Sequence, residues 1–192
     1  MSENLFRVMK EYIPVDVGMQ QDLEKILIKK NIASGECILR EGQISSSLIF
    51  IEEGSAYYYK IDEQGKKRVI NFNFEGDIFV DVESYVNDSK TDLYIETLEP
   101  SIIYCWEKKD WEKLLAADLR WERLMRLYLQ KVFIKIIEER KNMKTLSNTE
   151  HYLKLLKTYP NLFQRVPLYL IASYLNITPE GLSKIRRRLS CK

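Results

Sequence analysis

The spacing of apolar positions changes character once along the chain, near residue 108. From Asn31 to Glu107 the sequence runs in short stretches rich in β-branched and aromatic residues, punctuated by Gly35, Gly42, Gly54, Gly65 and Gly76. Regular turn residues between such stretches predict an antiparallel β barrel or roll. Strands are predicted over Cys37 to Arg40, Leu48 to Glu52 and Ala56 to Ile61. Asp62-Glu63-Gln64-Gly65 then makes a hairpin turn, after which Ile70, Phe72 and Phe74 alternate with Val69, Asn71 and Asn73 at the strand period of two. Leu93 to Leu98 and Ser101 to Trp106, parted by a turn at Glu99-Pro100, complete the set. Ahead of the roll, Met19 to Lys30 reads as a helix with Leu23, Ile26 and Leu27 on one face.

Beyond the roll the period lengthens to that of a helix. Asp110 to Ala116 predicts a short helix, and a long one follows from about Asp118 to Lys141. At the helical 100° per residue, Trp121, Met125, Tyr128, Leu129, Val132 and Ile136 fall on one stripe, with Arg123, Glu138 and Lys141 opposite. That stripe either packs on the roll or joins a second copy of the chain. A helix of about 24 residues spans about 36 Å and outruns a small roll, which favours a two-fold, coiled-coil-like homodimer. Ser147-Asn148-Thr149-Glu150 is a capping box opening a helix through Lys157, and Tyr159-Pro160-Asn161 ends it.

The segment Pro167 to Arg186 reads as helix, turn, helix. Pro167 suits a helix start, Ile171 and Leu175 lie four apart on an inner face, and Ala172 is small where two helices must cross closely. Asn176 stands at the tight turn, where a left-handed backbone is needed and Asn is among the few non-glycines that tolerate it. Ile177 fills the space between the helices. Thr178-Pro179 opens the second helix, the hydroxyl capping free N–H groups and proline's fixed φ fitting the first position. Leu182 and Ile185 turn inward, leaving Glu180, Ser183, Lys184, Arg187 and Arg188 outward. Such a set suits the major groove of double-stranded DNA: a carboxylate accepts from cytosine N4 and an ammonium donates to guanine O6 and N7. Thr178, Glu180, Ser183, Lys184, Arg186, Arg187 and Arg188 are therefore the candidate DNA-binding residues, with Glu180 and Lys184 reading bases and the three arginines holding phosphates. The alternative is a helical hairpin that only packs.

Charge sharpens this reading. The net charge of the 192 residues is only +2, but residues 1–108 hold 12 Lys and Arg against 20 Asp and Glu, while residues 109–192 hold 18 against 8. Five basic residues and no acidic ones occur from Ser183 to Lys192, so the reading helix sits in the half suited to a polyanion. The remaining composition, 45% hydrophobic and 30% charged with few glycines and prolines, is that of a globular protein. No apolar run approaches the ~20 residues that cross a bilayer, and the first 20 residues lack a secretory pattern, so a cytoplasmic protein without a membrane partner is expected. Cys37, Cys105 and Cys191 have no metal or redox spacing and read as reduced packing or tail residues. His151 is the single histidine and reads as a solvated helix-surface residue, which leaves little basis for metal or acid–base chemistry. Neither a nucleophile–base pair nor a phosphate-binding glycine loop is present; the chain is read as no enzyme, without cofactor or metal.

These residues together resemble the Crp/Fnr superfamily of transcription regulators over nearly the whole chain. Gly35-Glu36, Gly42, Leu48-Ile49-Phe50-Ile51-Glu52-Glu53-Gly54 and Glu75-Gly76-Asp77-Ile78-Phe79 resemble its cyclic-nucleotide-binding roll; Asp110-Trp111-Glu112-Lys113-Leu114-Leu115, the long helix and the helix-turn-helix follow in its order. The resemblance implies an α+β chain: an N-terminal antiparallel β-roll (a double-stranded β-helix, jelly-roll-like) with flanking helices over 1–116, a long dimerisation helix over 117–144, and a helix-turn-helix domain over 145–192. It also departs from the family. Nucleotide-binding members follow the Phe with Gly-Glu and later place Arg-Ser or Arg-Thr on the cyclic phosphate; here Val80-Asp81 follows Phe79, and Thr91-Asp92 falls at the phosphate position. Phe79, Val80, Asp81, Val82, Thr91 and Asp92 thus outline a degenerate ligand pocket, and Lys90 lacks a guanidinium's fork. No cysteine cluster supports an iron–sulfur centre. Lys184 stands where a later Arg is frequent in the family's reading helix, and the chain ends at Lys192 with a minimal or missing wing.

The expected function is sequence-specific DNA binding by a homodimeric regulator whose sensor has lost the usual cyclic-nucleotide phosphate site. The resemblance also admits an RNA polymerase contact and a small-molecule effector of unknown identity. Two alternatives stay open: a regulator that still responds to a cyclic nucleotide, and a ligand- or protein-interaction module without specific DNA recognition.

Overall fold

The structure is a computed structural model and describes residues 2–190; Cys191 and Lys192, counted above with the tail and the basic end, lie outside the described residues. Two compact units divide the chain, one formed by Met1–Tyr57 with Phe72–Phe133 and the other by Tyr58–Asn71 with Ile134–Lys192.

The first unit opens with two short helices, α1 (Glu3–Lys10) and α2 (Val17–Glu24). Both have side-chain N-caps: Ser2 Oγ accepts from the Leu5 N–H (3.0 Å) and Asp16 Oδ1 from the Met19 N–H (2.9 Å). Along the described residues eight strands follow, β4 and β5 lying largely in the second unit: β1 (Ile28–Ile32), β2 (Cys37–Leu39), β3 (Ser47–Glu53), β4 (Ala56–Ile61), β5 (Lys67–Asn73), β6 (Ile78–Phe79), β7 (Tyr94–Thr97) and β8 (Ser101–Glu107), with α3 (Val82–Asn87) between β6 and β7. They form two four-stranded sheets, ordered β1-β8-β3-β6 and β2-β7-β4-β5, an antiparallel roll of the kind the glycine spacing predicts. The helices α4 (Lys108–Ala117) and α5 (Leu119–Thr145) come next.

The core of this unit lies on the β3–β8 pair, where Phe50 faces Tyr104 in register and Leu48 faces Trp106. Leu5 and Met9 of α1, Met19 and Leu23 of α2, Trp111 of α4, and Trp121 and Leu124 of α5 close over it. The three indoles stack in sequence, Trp106 to Trp111 at 5.9 Å between ring centroids and Trp111 to Trp121 edge-on at 5.5 Å. Burying one large apolar side chain contributes about 1.5–3 kcal/mol, so this cluster fixes the first turns of α5 to the roll. One glycine is demanded by the packing: Gly54 has φ +95°, and a Cβ there would stand 2.2 Å from Ser101 Oγ and 2.8 Å from its Cα.

Two sequence expectations are corrected. The helix expected over Met19 to Lys30 stops at Glu24, and Ile28–Ile32 is instead the edge strand β1, paired with β8. Nearly every residue of β1 is exposed, so no strand alternation marks it; Ile26 and Leu27 still pack on the core from the connecting turn. In β5 the alternation is reversed at its start, Val69 being buried and Ile70 exposed, and it then fails, because Phe72, Asn73 and Phe74 are all buried. The helices α1 and α3 carry no periodicity long enough to announce them.

The second unit contains the end of α5, then α6 (Asn148–Thr158), α7 (Leu162–Arg165), α8 (Leu168–Tyr174) and α9 (Pro179–Ser190), together with Tyr58–Asn71, which takes in most of β4 and of β5. The predicted capping box is formed: Ser147 Oγ accepts from the Glu150 N–H while the Glu150 carboxylate accepts from the Ser147 N–H. Tyr152 packs on Phe163 with ring centroids 5.3 Å apart, and His151 lies 6.0 Å from the ring of Tyr174. His151 is therefore half-buried between helices rather than solvated, and burial, helped by Lys154, holds its pKa below the ordinary 6.5. The Ser173 hydroxyl of α8 bridges the hairpin, accepting from the Val69 N–H and donating to the Lys67 carbonyl, each at 3.0 Å. Among the described residues no helix is long and apolar enough to cross a membrane.

Candidate nucleic-acid interface and effector site

The α8–α9 pair is built as its residues dictate. Ile171, Ala172, Leu175 and Leu182 are buried between the helices, and Ile185 closes the packing from α9. Asn176 takes the left-handed conformation at φ 53°, and its neighbour Ile177 is half-buried. The Thr178 hydroxyl accepts from the Gly181 N–H at 3.1 Å, the cap expected of a Thr-Pro start.

This scaffold leaves Thr178, Glu180, Ser183, Lys184, Arg187 and Arg188 exposed. Pro179, Glu180, Ser183, Lys184 and Arg187 line one open depression along α9, bringing the acceptor and donors proposed for base reading to one face. The Ser183 hydroxyl is turned back to the Pro179 carbonyl (3.0 Å). Arg186 differs from its two neighbours: it is half-buried, with its guanidinium 5.2 Å above the ring of Phe163. Phe163 sits in α7, an element that four residues of sequence do not announce.

The expected dimer seam on α5 needs correction. Trp121 is 1% exposed and belongs to the three-tryptophan cluster, Met125 packs against the same core, and the Tyr128 hydroxyl donates to the Ile78 carbonyl at 2.7 Å. Burial drives the Tyr128 phenol far above its ordinary pKa, with Asp77 adding to the shift. These three residues are occupied within their own chain, and Val132 is half-buried. Leu129 and Ile136 remain exposed, and with them Phe133 (63%), Ile137 and Met143, which the sequence stripe did not include. Leu129, Phe133, Ile136, Arg140 and Met143 are spaced four, three, four and three, the coiled-coil interval. The apolar arc of α5 is thus two stripes, and a single stripe drawn through all apolar residues mixes them.

In the roll, Phe79 is buried and paired with Ile49 across β6–β3, and Val80 is half-buried. Asp81 and Thr91 are both buried, and Thr91 Oγ1 donates to the Asp81 carboxylate. The Thr91 side chain also accepts from the Leu93 N–H at 3.0 Å, while its backbone is tied to the Gly42 N–H and the Gln43 carbonyl, each at 2.8 Å. Val82 and Asp92 are exposed, so the carboxylate at the heart of this site is Asp81, not Asp92. Sequence reasoning missed Ser84, whose hydroxyl accepts from the Ser45 N–H (2.8 Å) and donates to the Ser89 carbonyl (2.6 Å), closing the loop around α3. It also missed Tyr57, fully buried 6.5 Å from Phe72, whose hydroxyl donates to Glu96 at 2.8 Å. Burial raises the thiol pKa of both Cys37 and Cys105, keeping them protonated.

Residues 29–118 match the cyclic nucleotide-binding domain family. Among curated proteins none matches the chain in sequence. In fold the chain is similar to FixK2 from Bradyrhizobium japonicum (TM-score 0.72, 16% identity, 86% of this chain and 85% of that one covered). It is also similar to the c-di-GMP responsive global regulator CLP of Xanthomonas campestris (TM-score 0.72, 12% identity, 92% of each chain). A third similar structure is described as a transcriptional regulator of the crp/fnr family from Eubacterium rectale (TM-score 0.70, 12% identity, 98% of this chain and 88% of that one). Residues 29–118 thus match the cyclic nucleotide-binding domain family, within a chain that has the fold of Crp/Fnr regulators.

Proposed function

We propose that this chain is a sequence-specific DNA-binding transcription regulator that acts as a homodimer and whose roll no longer receives a cyclic phosphate in the usual way. The observation that carries the DNA reading is the exposed row on α9, in which Glu180, Ser183, Lys184 and Arg187 line one depression on a short, well-capped helix. Glu180 and Lys184 read base edges, and Arg187 and Arg188 hold phosphates. Arg186, stacked on Phe163, serves chiefly to set the angle of α9. The similar structures described as regulators support the same assignment. Dimerisation is assigned to the exposed stripe Leu129, Phe133 and Ile136, and no catalytic role is proposed.

For the sensor, Asp81 stands where the nucleotide-binding pattern has the ribose carboxylate and Thr91 where it has the phosphate-binding arginine, and the two are bonded to each other. A nucleotide would have to break that bond and would then find, at the phosphate position, a threonine hydroxyl in place of a cation. A neutral hydroxyl supplies no Coulombic attraction for a cyclic phosphate and lacks the bidentate fork that a guanidinium presents. A second reading, that the roll still binds a cyclic nucleotide, is favoured by the family match of residues 29–118.

Selection of bound duplexes from random DNA, followed by Lys184→Ala and Arg187→Ala, tests the DNA reading. The first substitution is expected to cost about 1–3 kcal/mol on the preferred site and relax specificity there; the second weakens all sequences alike. If neither change alters site preference or salt dependence, α9 is not the reading helix. Calorimetric titration with cyclic AMP and cyclic GMP to millimolar concentration is expected to give no saturable heat, and micromolar binding would establish the second reading.

A further inference from the structure

Gly181 is a glycine without an internal reason. It lies in the first turn of α9, and a methyl group placed on it would meet Thr178 Oγ1 at 3.4 Å and Ile177 Cβ at 3.8 Å, both ordinary contacts. Alanine would fit, and alanine favours a helix more than glycine does. What the missing side chain leaves bare is part of an open cleft of about 280 Å³ between α9 and the first turn of α6. Lys184 and Arg188 line it from the same face of α9, three and seven residues on, and Asn148 and Thr149 line it from α6. The carboxylate of that turn, Glu150, is folded back on Ser147, 2.8 Å from its nitrogen and 2.6 Å from its hydroxyl. Only Lys184 is shared with the depression formed by Pro179, Glu180, Ser183 and Arg187.

We propose that this cleft seats one phosphate group of the DNA strand bordering the groove that α9 enters, with Arg188 as its main cation and Gly181 admitting the sugar–phosphate chain close to the helix backbone. The proposal rests on reading α9 as the DNA-binding helix. Ile177 and Ile185 complete the lining of this small open cleft, beside two cations and two neutral polar side chains that suit an anion, and a bare backbone allows an approach that a Cβ would block. A phosphate seat of this kind orients the helix without carrying sequence information, so its loss weakens every duplex by the same factor.

The test measures retention of the preferred duplex and an unrelated duplex of equal length by the full chain over a salt series, for the wild type, Gly181→Ala, Arg188→Ala and the double variant, with thermal melting of each. Gly181→Ala is expected to melt at or above the wild-type temperature yet bind both duplexes about 5–10-fold more weakly. Arg188→Ala is expected to show a similar loss with a salt slope shallower by about one, and the double variant to lose little more than either. Wild-type affinity in Gly181→Ala, a lower melting temperature in that variant, or a loss confined to one duplex overturns the proposal. A wild-type chain that retains neither duplex overturns the reading of α9 itself, and the phosphate seat with it.

Discussion

Gly54 and Gly65 both have left-handed backbones, at φ +95° and +75°, but they are held for different reasons. A Cβ at Gly54 would overlap the backbone and side chain of Ser101, whereas nothing lies within 4 Å of one at Gly65. Gly65→Ala is therefore expected to cost only the conformational strain, about 1 kcal/mol, and Gly54→Ala about 2–4 kcal/mol, read as shifts of the urea midpoint at constant slope. Equal shifts would show that Ser101 moves aside at little cost. His151 makes a prediction of opposite character. Its folded pKa lies below the ordinary 6.5 because burial against its neighbours disfavours the imidazolium and Lys154 repels it. The unfolded chain therefore takes up the proton first, so the stability this residue contributes is complete above about pH 6.5, falls as the pH drops through 6.5 to the folded pKa, and is constant below both. His151→Gln should remove that part of the pH dependence from thermal melts between pH 7 and 5, and an unchanged profile would assign it elsewhere. Residues whose roles are local were legible in the sequence: Asn176 at the left-handed turn and Thr178 at the cap depend on neighbours within a few positions. Asp81, Thr91 and Arg186 were not, because their partners come from separate elements and a loop alignment cannot say which of two adjacent side chains turns inward.

At the scale of elements, α5 divides its apolar residues between two tasks. Trp121, Leu124 and Tyr128 hold the helix to the roll, and Leu129, Phe133 and Ile136 continue outward. Phe133→Glu with Ile136→Glu should therefore yield a monomer by light scattering at tens of micromolar while far-UV circular dichroism and melting of the roll stay close to wild type. Met125→Glu should instead destabilise the roll, because it places a charge against the buried apolar core. A dimer that survives the double change assigns the interface to another surface. The sequence foretold the interior strands β3, β4, β7 and β8 and the helices α4, α5, α6, α8 and α9 within a few residues, because each carries a long enough apolar repeat or a turn signature of its own. It did not foretell β1, whose solvent-facing residues show no alternation, or the short α1, α3 and α7, which are held mostly by contacts with distant parts of the chain. The apolar stripe of α5 was half-legible for the same reason: periodicity counts apolar residues but does not say which of them are buried within the chain and which stay exposed.

Taken whole, the chain concentrates acidic charge in residues 1–108 and basic charge in residues 109–192, so the proposed DNA attraction would belong to the part that carries α9. A dimer through α5 would duplicate that attraction about a two-fold axis. Each copy presents one α9, and two copies related by such an axis read the two strands in opposite senses, so the bound site must be an inverted repeat. Major-groove faces recur once per helical turn, which sets the half-site centres about 34 Å apart, or about 10 base pairs, or a multiple of that. Duplexes selected by the wild type are expected to show this repeat, and the Phe133→Glu, Ile136→Glu chain should bind one half-site with about half the salt slope, since it meets about half the phosphates. Lengthening the spacer by about five base pairs puts the second half-site on the opposite face of the duplex and should reduce wild-type affinity to that of the monomeric variant on a single half-site. A spacer change without effect, or selected sites lacking symmetry, would mean that each reading helix acts alone and that the two-fold axis has no part in recognition.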